Sequence, residues 1–475
     1  MTRQRKLLIN GEWVESREKA GIRDPYNGRL VGNVCRAGEK EMEAAIAATA
    51  AAFETTKRLQ AYERSDILVR IVHGLEEARK ELVNTIVAEA GKPITYAEGE
   101  VDRCILTFTI GAEEAKRIGG EVIPLDITAA AAGRTGITRR FPLGPIAAIT
   151  PFNFPLNLVA HKVAPALAAG NTVVVRPASQ TPFSSLILGR ICTEAGVPRG
   201  AINVVPSSVG VAQKLLTDER IKKISFTGSD EVGWGLKSKC GKKKITLELG
   251  GNAAVIVHSD CDLDFAAERI AIGSFAYAGQ ICISVQRIYV EEAIFPAFRK
   301  RFLRAIKEKV GVGDPRKRTT VVGPMIDSAS ADRVMEWIQE AKDGGAKVLC
   351  GGKRKGNVIG PTVLTNVDPQ MKISCREAFG PVVTLDAYRD FGEALKRVND
   401  SVYGLQAGVF TRDIRRVHSA FYELDVGGVI INDYPTFRVD NMPYGGVKNS
   451  GMGREGVKYA IEEMTELKLL VLNLS

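Results

Sequence analysis

Short β-rich runs alternate with helix-compatible segments through the middle of this 475-residue chain. The runs PIAAIT, TVVVRP, INVVP, KKISFTG and KITLELGG recur between residues 145 and 251. A second alternating series extends from Ala253 to Ile431. Such alternation is typical of βαβ units, in which strands pair in parallel and helices cover the faces of the sheet. The sequence therefore predicts an α/β fold with two such layers and a cleft between them.

The two ends of the chain carry different signals. Asn10-Gly11 separates the apolar runs LLI and EWV, which predicts a tight hairpin. From Glu39 to about Gly120 the apolar spacing predicts helices, one of them running through ERSDILVRIVHGLEEARKELVNTIVAEAG and ending at Gly91. ITRRFPL and the terminal LKLLVLNL are predicted strands, the latter an exposed edge strand.

The segment GMGREG, residues 451–456, has the G-x-G-x-x-G spacing of a dinucleotide-binding loop. A working loop of this kind follows a buried strand, opens a helix and is followed about 20 residues later by an acidic residue on a second strand. Only 19 residues follow Gly456, and the turn-rich PYGGVKNS precedes the segment. We therefore interpret its glycines as structural, allowing a tight passage of the chain towards its last helix and strand.

Composition limits the classes of protein that the chain can belong to. The net charge of +10 comes from scattered basic clusters, which indicate a solvated basic surface or the steering of anions, and no nucleic-acid-binding motif accompanies them. Eight cysteines without a C-x-x-C pair argue against a zinc site and fit a reducing, cytoplasmic setting. The basic start has no apolar core typical of a signal peptide, and polar residues and prolines interrupt the most apolar stretch, 144–170. We expect no metal, membrane or nucleic-acid partner.

Four residues are candidate site residues because each lies at the end of a predicted strand, in a turn or in a stretch of small residues. Cys282 lies in the small-residue stretch FAYAGQICIS, Asn153 follows the first β-rich run, Glu248 ends the run KITLELGG, and Glu377 lies in the turn EAFGP. A thiol is a candidate nucleophile, and the Asn153 amide could donate to an oxyanion. The two glycines after Glu248 allow a substrate or a backbone segment to approach closely. Each residue alone also fits a structural role, as a buried thiol, a turn residue or a solvated carboxylate.

The segments PFNFP, TVVVRPASQTP, FTGSDEVG, LELGG, GQICIS, EAFGP and PYGGVKNSG occur in an order that resembles the aldehyde dehydrogenase superfamily. The resemblance covers essentially the whole chain. It implies a Rossmann-like cofactor domain, an α/β catalytic domain and a small β oligomerisation flap. On this resemblance residues 1–121 and 142–250 are the NAD(P)-binding domain, residues 251–440 the catalytic domain, and residues 122–141 and 456–475 the flap. A homodimer or homotetramer is implied.

The resemblance also implies roles for individual residues. Cys282 would attack the aldehyde to give a thiohemiacetal and then a thioester, and Asn153 would hold the oxyanion. Glu248 would activate the hydrolytic water, and Lys162 would lie near the cofactor and the proton path. Because Glu248 is present, hydrolysis to the free acid is favoured over transfer of the acyl group to coenzyme A. The implied contacts to NAD or NADP are Thr150, Pro151, Phe152, Arg176, Ser179, Gly228, Ser229, Leu249, Glu377 and Phe379.

Two departures from the family pattern concern the cofactor. Arg176 replaces the usual lysine, and it can still bind ribose or phosphate oxygens. Ser179 stands where NAD-preferring members often have a glutamate. A glutamate there would repel a 2′-phosphate, whereas Ser179 would not. We therefore predict that NADP is accepted.

The implied substrate contacts are Arg103, Phe154, Ile281 and Arg438. The two arginines are either surface residues or charge-assisted donors for an anionic or hydroxylated aldehyde. The chain is most similar to the branch with lactaldehyde and non-phosphorylating glyceraldehyde-3-phosphate dehydrogenases. Phe154 and Ile281 replace the polar residue and the arginine that are typical of phosphate-binding members. The sequence thus favours a smaller substrate such as lactaldehyde, glyceraldehyde or a short semialdehyde. A catalytically silent protein on the same fold is the alternative from a different class, and the presence of Cys282 together with its partners argues against it.

Overall fold

The computed structural model of the chain describes residues 4–473, so residues 1–3 and 474–475 of the predicted outer segments lie outside the described residues. The α-helices in this range are α1 (Glu39–Thr56), α2 (Ala61–Glu77), α3 (Arg79–Ala90), α4 (Ile94–Ala115), α5 (Asn157–Ala169), α6 (Phe183–Glu194), α7 (Val209–Ala212), α8 (Lys214–Thr217), α9 (Asp230–Lys237), α10 (Leu263–Phe275), α11 (Phe295–Lys309), α12 (Ser328–Asp343), α13 (Lys372–Cys375), α14 (Phe391–Asn399), α15 (Ile414–Glu423) and α16 (Val457–Glu463). The strands are β1 (Gln4–Arg5), β2 (Leu7–Ile9), β3 (Glu12–Val14), β4 (Glu18–Arg23), β5 (Leu30–Arg36), β6 (Val122–Pro124), β7 (Arg134–Pro142), β8 (Pro145–Ile149), β9 (Thr172–Arg176), β10 (Ile202–Val204), β11 (Lys223–Thr227), β12 (Lys244–Glu248), β13 (Ala254–Val257), β14 (Arg287–Glu291), β15 (Gly311–Val312), β16 (Thr320–Val322), β17 (Lys347–Cys350), β18 (Arg354–Lys355), β19 (Val358–Ile359), β20 (Thr362–Thr365), β21 (Val382–Tyr388), β22 (Tyr403–Gly404), β23 (Gln406–Phe410), β24 (Gly428–Ile431), β25 (Val447–Lys448), β26 (Gly451–Met452) and β27 (Thr465–Asn473). Short 3-10 turns lie at Ala129–Ala131, Ala276–Gly279 and Glu292–Ile294.

The five β-rich runs between residues 145 and 251 form neighbouring parallel strands, as the sequence predicts. They lie in the order β12-β11-β8-β9-β10, with β2 and β3 added at one edge and β26 at the other. Every residue of β8 is buried, as is every residue of α5, because helices and strands cover both faces of the sheet. The predicted hairpin turn is confirmed: Asn10 and Gly11 both have positive φ, 53° and 74°, and β2 pairs with β3.

The predicted long helix before Gly91 is divided in the structure. Ala78, with φ −84° and ψ 2°, separates α2 from α3, so the prediction of one continuous helix is wrong. The interruption changes the direction of the chain, and both α2 and α3 then pack against α4 and α6. Helix α3 ends, as predicted, at Gly91 in a left-handed conformation.

The second alternating series forms a seven-stranded sheet in the order β17-β20-β21-β14-β13-β23-β24. All pairs in it are parallel except β17 with β20. Helices α10, α11 and α12 contribute buried apolar residues to the core beside this sheet.

A third, antiparallel sheet has the order β27-β7-β6. The register of β27 against β7 runs without a break from Thr465 opposite Pro142 to Asn473 opposite Arg134. The terminal apolar run is therefore the edge strand that the sequence predicts. Its large apolar side chains remain exposed: Leu467, Leu469, Leu470, Val471 and Leu472.

Over residues 4–473, the structure has no helix with the length and apolar character needed to cross a lipid bilayer. The same residues contain no group of three or more His, Cys, Asp or Glu side chains arranged to hold a metal ion.

Candidate active site

A cavity of about 1100 Å³ opens at the carboxyl ends of β8, β11 and β12 and is bounded on its far side by residues of the second sheet's connections. Ligands of parallel α/β sheets bind at this end of the strands. Among the residues singled out from the sequence, those lining the cavity are Arg103, Pro151, Phe152, Asn153, Phe154, Gly228, Ser229, Glu248, Leu249, Ile281, Cys282, Glu377, Phe379 and Arg438. The fold thus brings together residues that are up to 335 positions apart in the chain.

Cys282 is presented to the cavity by an unusual turn. Tyr277, Ala278 and Gly279, which lie three to five positions before it, all have positive φ, 50°, 56° and 68°. A Cβ at Gly279 would lie 2.2 Å from the carbonyl oxygen of Gly380, so no other residue fits there. The thiol Sγ lies 2.9 Å from the hydroxyl Oη of Tyr444. Burial raises the pKa of the Cys282 thiol to about 12, and the hydrogen bond with Tyr444 opposes that rise.

Asn153 faces the same turn. Its Nδ2 donates to the carbonyl oxygen of Gln280 at 2.9 Å, and its Oδ1 accepts from the backbone N–H of Phe154 at 3.1 Å. A primary amide has two N–H donors, so one remains for an oxygen bound at Cys282. The amide therefore ties the loop after β8 to the turn that precedes Cys282.

A buried ion pair anchors the loop that holds Asn153. Glu100 accepts from the backbone N–H groups of Leu156 and Asn157 at 2.9 and 3.1 Å, at the start of α5. Its other oxygen pairs with Lys92, whose ammonium lies 3.5 Å from the centre of the Phe154 ring. Both charged side chains are fully buried, so loss of either partner would leave a buried charge unpaired.

Glu248 ends β12, between β11 and β26. Both of its carboxyl oxygens are buried and have no hydrogen-bond partner among the described residues. Burial raises the pKa of Glu248 well above its usual range, and the neighbouring carboxylate of Glu455 raises it further. A carboxyl group in this state can take a proton from water when it is ionised.

Lys162 does not line the cavity but lies directly behind it. Its Nζ contacts the hydroxyl of Thr227 at 2.7 Å and a carboxylate oxygen of Glu455 at 2.8 Å. The other oxygen of Glu455 accepts from Arg438 at 3.1 Å. Attraction to Lys162, His161 and Arg438 outweighs burial and lowers the pKa of Glu455 to about 2. Glu455 is therefore ionised between two cations, next to Glu248.

Glu455 belongs to the segment GMGREG, and it is not among the site residues predicted from the sequence. The glycines of this segment do allow close approach: a Cβ at Gly451 would lie 2.0 Å from the carbonyl oxygen of Leu247. The glutamate of the same segment lines the cavity. Gly451 pairs with Glu248 where β26 lies beside β12, and no spacing in the sequence indicates this pairing.

Arg103 and Arg438 both reach the cavity, and both have carboxylate partners. Arg103 makes two hydrogen bonds to Asp440, at 2.6 and 3.1 Å. Asp440, which is fully buried, also contacts His161 at 2.7 Å. Arg438 bonds to Glu455 and stacks on the Tyr444 ring, with its Cζ 3.7 Å from the ring centre. The Nε of Arg438 has no partner among the described residues.

The predicted cofactor residues fall into two groups. Gly228 and Ser229 precede α9 at the cavity wall, Glu377 accepts from the Gly251 N–H at 3.0 Å, and Phe379 packs edge-to-face on Phe152. Burial raises the pKa of Glu377 to about 7. The N-terminus of α9 offers backbone N–H groups that suit a pyrophosphate.

Thr150, Arg176 and Ser179 form the second group, outside the cavity lining. Arg176 donates to the carbonyl oxygen of Ser207 at 3.0 Å and lies 3.5 Å from the Ser179 hydroxyl. The Nε of Arg176 and the hydroxyl of Thr150 are buried without a partner among the described residues. Unsatisfied donors beside a partly exposed arginine fit a polyhydroxylated, phosphorylated ligand.

Comparison with known proteins agrees with this geometry. Residues 13–470 match the aldehyde dehydrogenase family. The chain belongs to the aldehyde dehydrogenase family. The chain is 45% identical to a 3-sulfolactaldehyde dehydrogenase of Priestia megaterium, over 99% of this chain and 98% of that protein. It is 39% identical to a lactaldehyde dehydrogenase of Methanococcus aeolicus, over 98% of this chain and 100% of that one.

Solved structures of aldehyde dehydrogenases superpose closely on the chain. Aldehyde dehydrogenase 21 of Physcomitrella patens, in complex with the reaction product succinate, has a TM-score of 0.98 and 44% identity, over 100% of this chain and 99% of that one. The glyceraldehyde-3-phosphate dehydrogenase of Methanocaldococcus jannaschii, complexed with NADP, has a TM-score of 0.92 and 39% identity, over 96% and 100%. The α/β aldehyde dehydrogenase fold inferred from the sequence is confirmed, and this aldehyde dehydrogenase oxidises aldehydes with NAD(P).

Proposed function

We propose that this aldehyde dehydrogenase oxidises a short anionic or hydroxylated aldehyde to its carboxylic acid. The observation that carries the proposal is that Arg103 and Arg438 line the same cavity as Cys282. Arg438 is almost completely buried, and buried guanidinium groups with a free N–H bind carboxylate, sulfonate or hydroxyl oxygens strongly.

The charges around the inner cavity support an anionic substrate. The cations are Lys162, Arg103 and Arg438, and the ionised carboxylates are Glu455 and Asp440, whose pKa values are lowered by their partners. Burial raises the pKa of Glu248 and lowers that of His161, so it disfavours the charged form of each group. Three cations thus lie near two ionised carboxylates, and this arrangement would attract an anionic substituent on the aldehyde.

The relatives support the same substrate class. One relative is named after 3-sulfolactaldehyde and another after lactaldehyde. Both compounds are small aldehydes with a hydroxyl group, and 3-sulfolactaldehyde also carries a sulfonate. Succinate, the reaction product in the complex with aldehyde dehydrogenase 21 of Physcomitrella patens, has two carboxylates. A semialdehyde is therefore a second candidate substrate for this chain. Non-phosphorylating oxidation of glyceraldehyde-3-phosphate is the third, although Phe154 and Ile281 offer a phosphate no polar side chain.

The residues of the site divide the chemistry between them. The Cys282 sulfur attacks the aldehyde carbon, and the remaining N–H of Asn153 together with the Cys282 backbone N–H holds the resulting oxyanion. Gly228, Ser229, Glu377 and Phe379 would hold NAD(P), whose nicotinamide would accept the hydride when the thiohemiacetal is oxidised to the thioester. Glu248, once ionised, takes a proton from the water that hydrolyses the thioester. Glu455 and Lys162, behind Glu248, offer a path for that proton.

We predict that Arg438→Ala raises the KM for succinic semialdehyde by about 10- to 100-fold, because a charge-assisted hydrogen bond to the substrate is lost. The KM for propanal, which has no anionic group, should change by less than about threefold. Steady-state kinetics with both aldehydes measure the difference. Arg304→Ala, which removes an exposed arginine paired with Asp264, is the matched control. Equal effects on the two aldehydes would contradict a role of Arg438 in binding the anion.

We also propose that NADP is accepted. The small Ser179 side chain leaves space for the 2′-phosphate near Arg176 and carries no negative charge that would repel it. Ser179→Glu should raise the KM for NADP at least ~10-fold while leaving that for NAD nearly unchanged, since a carboxylate within about 4 Å of a phosphate repels it by about 1–4 kcal/mol. Ser179→Gln, similar in size and neutral, is the control for steric effects. Strict use of NAD by the wild-type enzyme would contradict the proposal.

We keep the three-part division of the chain as a proposal: residues 1–121 and 142–250 for the cofactor, residues 251–440 for catalysis, and residues 122–141 and 456–475 for assembly. The exposed leucines of β27, which is the outer strand of the three-stranded sheet formed by the described residues, support assembly as a homodimer or homotetramer. Residues 441–455, which the division leaves unassigned, contribute Tyr444 and Glu455 to the cavity lining and include β26, which pairs with β12.

A further inference from the structure

Tyr444 lies between the nucleophile and the proposed anion-binding arginine. Its Oη is 2.9 Å from the Sγ of Cys282, and the guanidinium of Arg438 lies 3.7 Å above its ring. The ring is buried among Ile283 and Leu405. Its backbone is fixed by two hydrogen bonds with Glu455, at 3.0 and 2.7 Å. The hydroxyl therefore has a defined position relative to the sulfur.

Among the described residues, Cys282 is the one hydrogen-bond partner of the Tyr444 hydroxyl. While the sulfur is a thiol, either group can donate. Once the sulfur is a thiolate it can only accept, so the phenol must donate. Burial raises the pKa of Tyr444 well above its ordinary value, so the phenol keeps its proton throughout. Hydrogen bonds to ionised acceptors are roughly twice as strong as neutral ones, and this contact therefore strengthens when the thiolate forms.

We propose that Tyr444 is a catalytic residue whose hydroxyl donates a hydrogen bond to the Cys282 thiolate and thereby stabilises the reactive form of the nucleophile. The thiol proton passes to water, and no bond to Tyr444 forms or breaks. The Arg438 cation above the ring draws electron density from the phenol and makes it a better donor. The inference rests on the proposed role of Cys282 as nucleophile, but not on the identity of the aldehyde.

The structure explains why such a donor is needed. The thiol lies in a largely apolar setting, next to Ile281 and Ile283, that disfavours its ionised form. Two further carboxyl groups, Glu248 and Glu377, disfavour the thiolate when ionised, whereas Arg438 favours it. All of these groups remain when the Tyr444 hydroxyl alone is removed, so its contribution can be measured separately.

The test is the pH dependence of alkylation of Cys282 by iodoacetamide in the full-length enzyme. The modified peptide that contains Cys282 is followed by mass spectrometry, so the other thiols do not interfere. Tyr444→Phe should lower the rate near neutral pH about tenfold and move the apparent thiol pKa up by about one unit. At every pH where both thiols remain mostly protonated, the wild type should keep this advantage in rate over the variant. A pH profile identical to that of the wild type would overturn the proposal.

Tyr388→Phe is the matched control, since it removes another buried tyrosine hydroxyl, bonded to the Val257 carbonyl and outside the cavity. Its alkylation profile should equal that of the wild type, and an equal shift in both variants would contradict a specific role. If Tyr444→Phe does not fold, wild-type chain carrying 3-fluorotyrosine provides a second measurement. Its more acidic phenols donate more strongly, so the thiol pKa should fall, and an unchanged or raised pKa would also overturn the inference. Alkylation uses no aldehyde, so a wrong substrate assignment cannot produce or hide either result.

Discussion

Cys282→Ala should abolish aldehyde oxidation, with kcat falling by a factor on the order of 10⁶, because removal of a covalent nucleophile leaves only binding and positioning. The expectation follows from the position of the thiol, which comes shortly after a turn of positive-φ residues and contacts Tyr444 in the cavity. Release of NAD(P)H from a panel of short aldehydes, neutral and anionic, measures the loss.

The variant should still bind NADP with the affinity of the wild type, since the predicted cofactor residues lie on other segments. Cys261→Ala, which removes a partly exposed thiol that does not line the cavity, should retain full activity. Residual turnover in Cys282→Ala within about tenfold of the wild type would mean that the nucleophile is another group, and the thioester mechanism would then be wrong.

The parallel strands could be predicted from the sequence because their signal is local. Each run has the length and β-branched composition of a fully buried strand, and turn residues separate it from the next helix. The hairpin at Asn10-Gly11 could be predicted for the same reason, since the turn type needs positive φ at both positions. The break at Ala78 could not, because the apolar spacing is compatible with a continuous helix and tertiary packing decides the direction of the chain.

The site could be predicted only in part. Cys282, Asn153 and Glu248 stand in short segments that resemble those of a known family, so their sequence context makes them candidates. The partners of these residues depend on long-range contacts: Asp440 meets Arg103 across 337 positions and Lys162 meets Glu455 across 293. No spacing in the sequence encodes such contacts. Glu455 was also hidden by its surroundings, because the glycines of GMGREG suggest a cofactor loop rather than a charged wall of the cavity.

Glu248→Gln should separate the two halves of the reaction. Formation of the thioester does not require water activation, so the variant should release close to one NAD(P)H per active site in a rapid first turnover. Hydrolysis should then be slow, with steady-state turnover reduced by about 10²- to 10⁴-fold, the usual contribution of a general base. Rapid mixing with an aldehyde excess resolves the burst from the steady state, and mass spectrometry detects the acylated Cys282. Glu219→Gln, a change at an exposed glutamate, is the control and should behave as the wild type.

The raised pKa of Glu248 also predicts the direction in which the turnover rate changes with pH. Burial and the charge of Glu455 raise the pKa of Glu248, so the carboxylate that acts as base is scarce at low pH and increases as the pH rises through that pKa. Steady-state kcat of the wild type should therefore rise with pH, and the amplitude of the burst should not. Glu248→Gln should lose the rise, because glutamine has no proton to release in this range. A variant that shows neither a burst nor an acylated thiol would place Glu248 in the first half of the reaction, as the base that takes the proton from Cys282, and the assignment to hydrolysis would then be wrong.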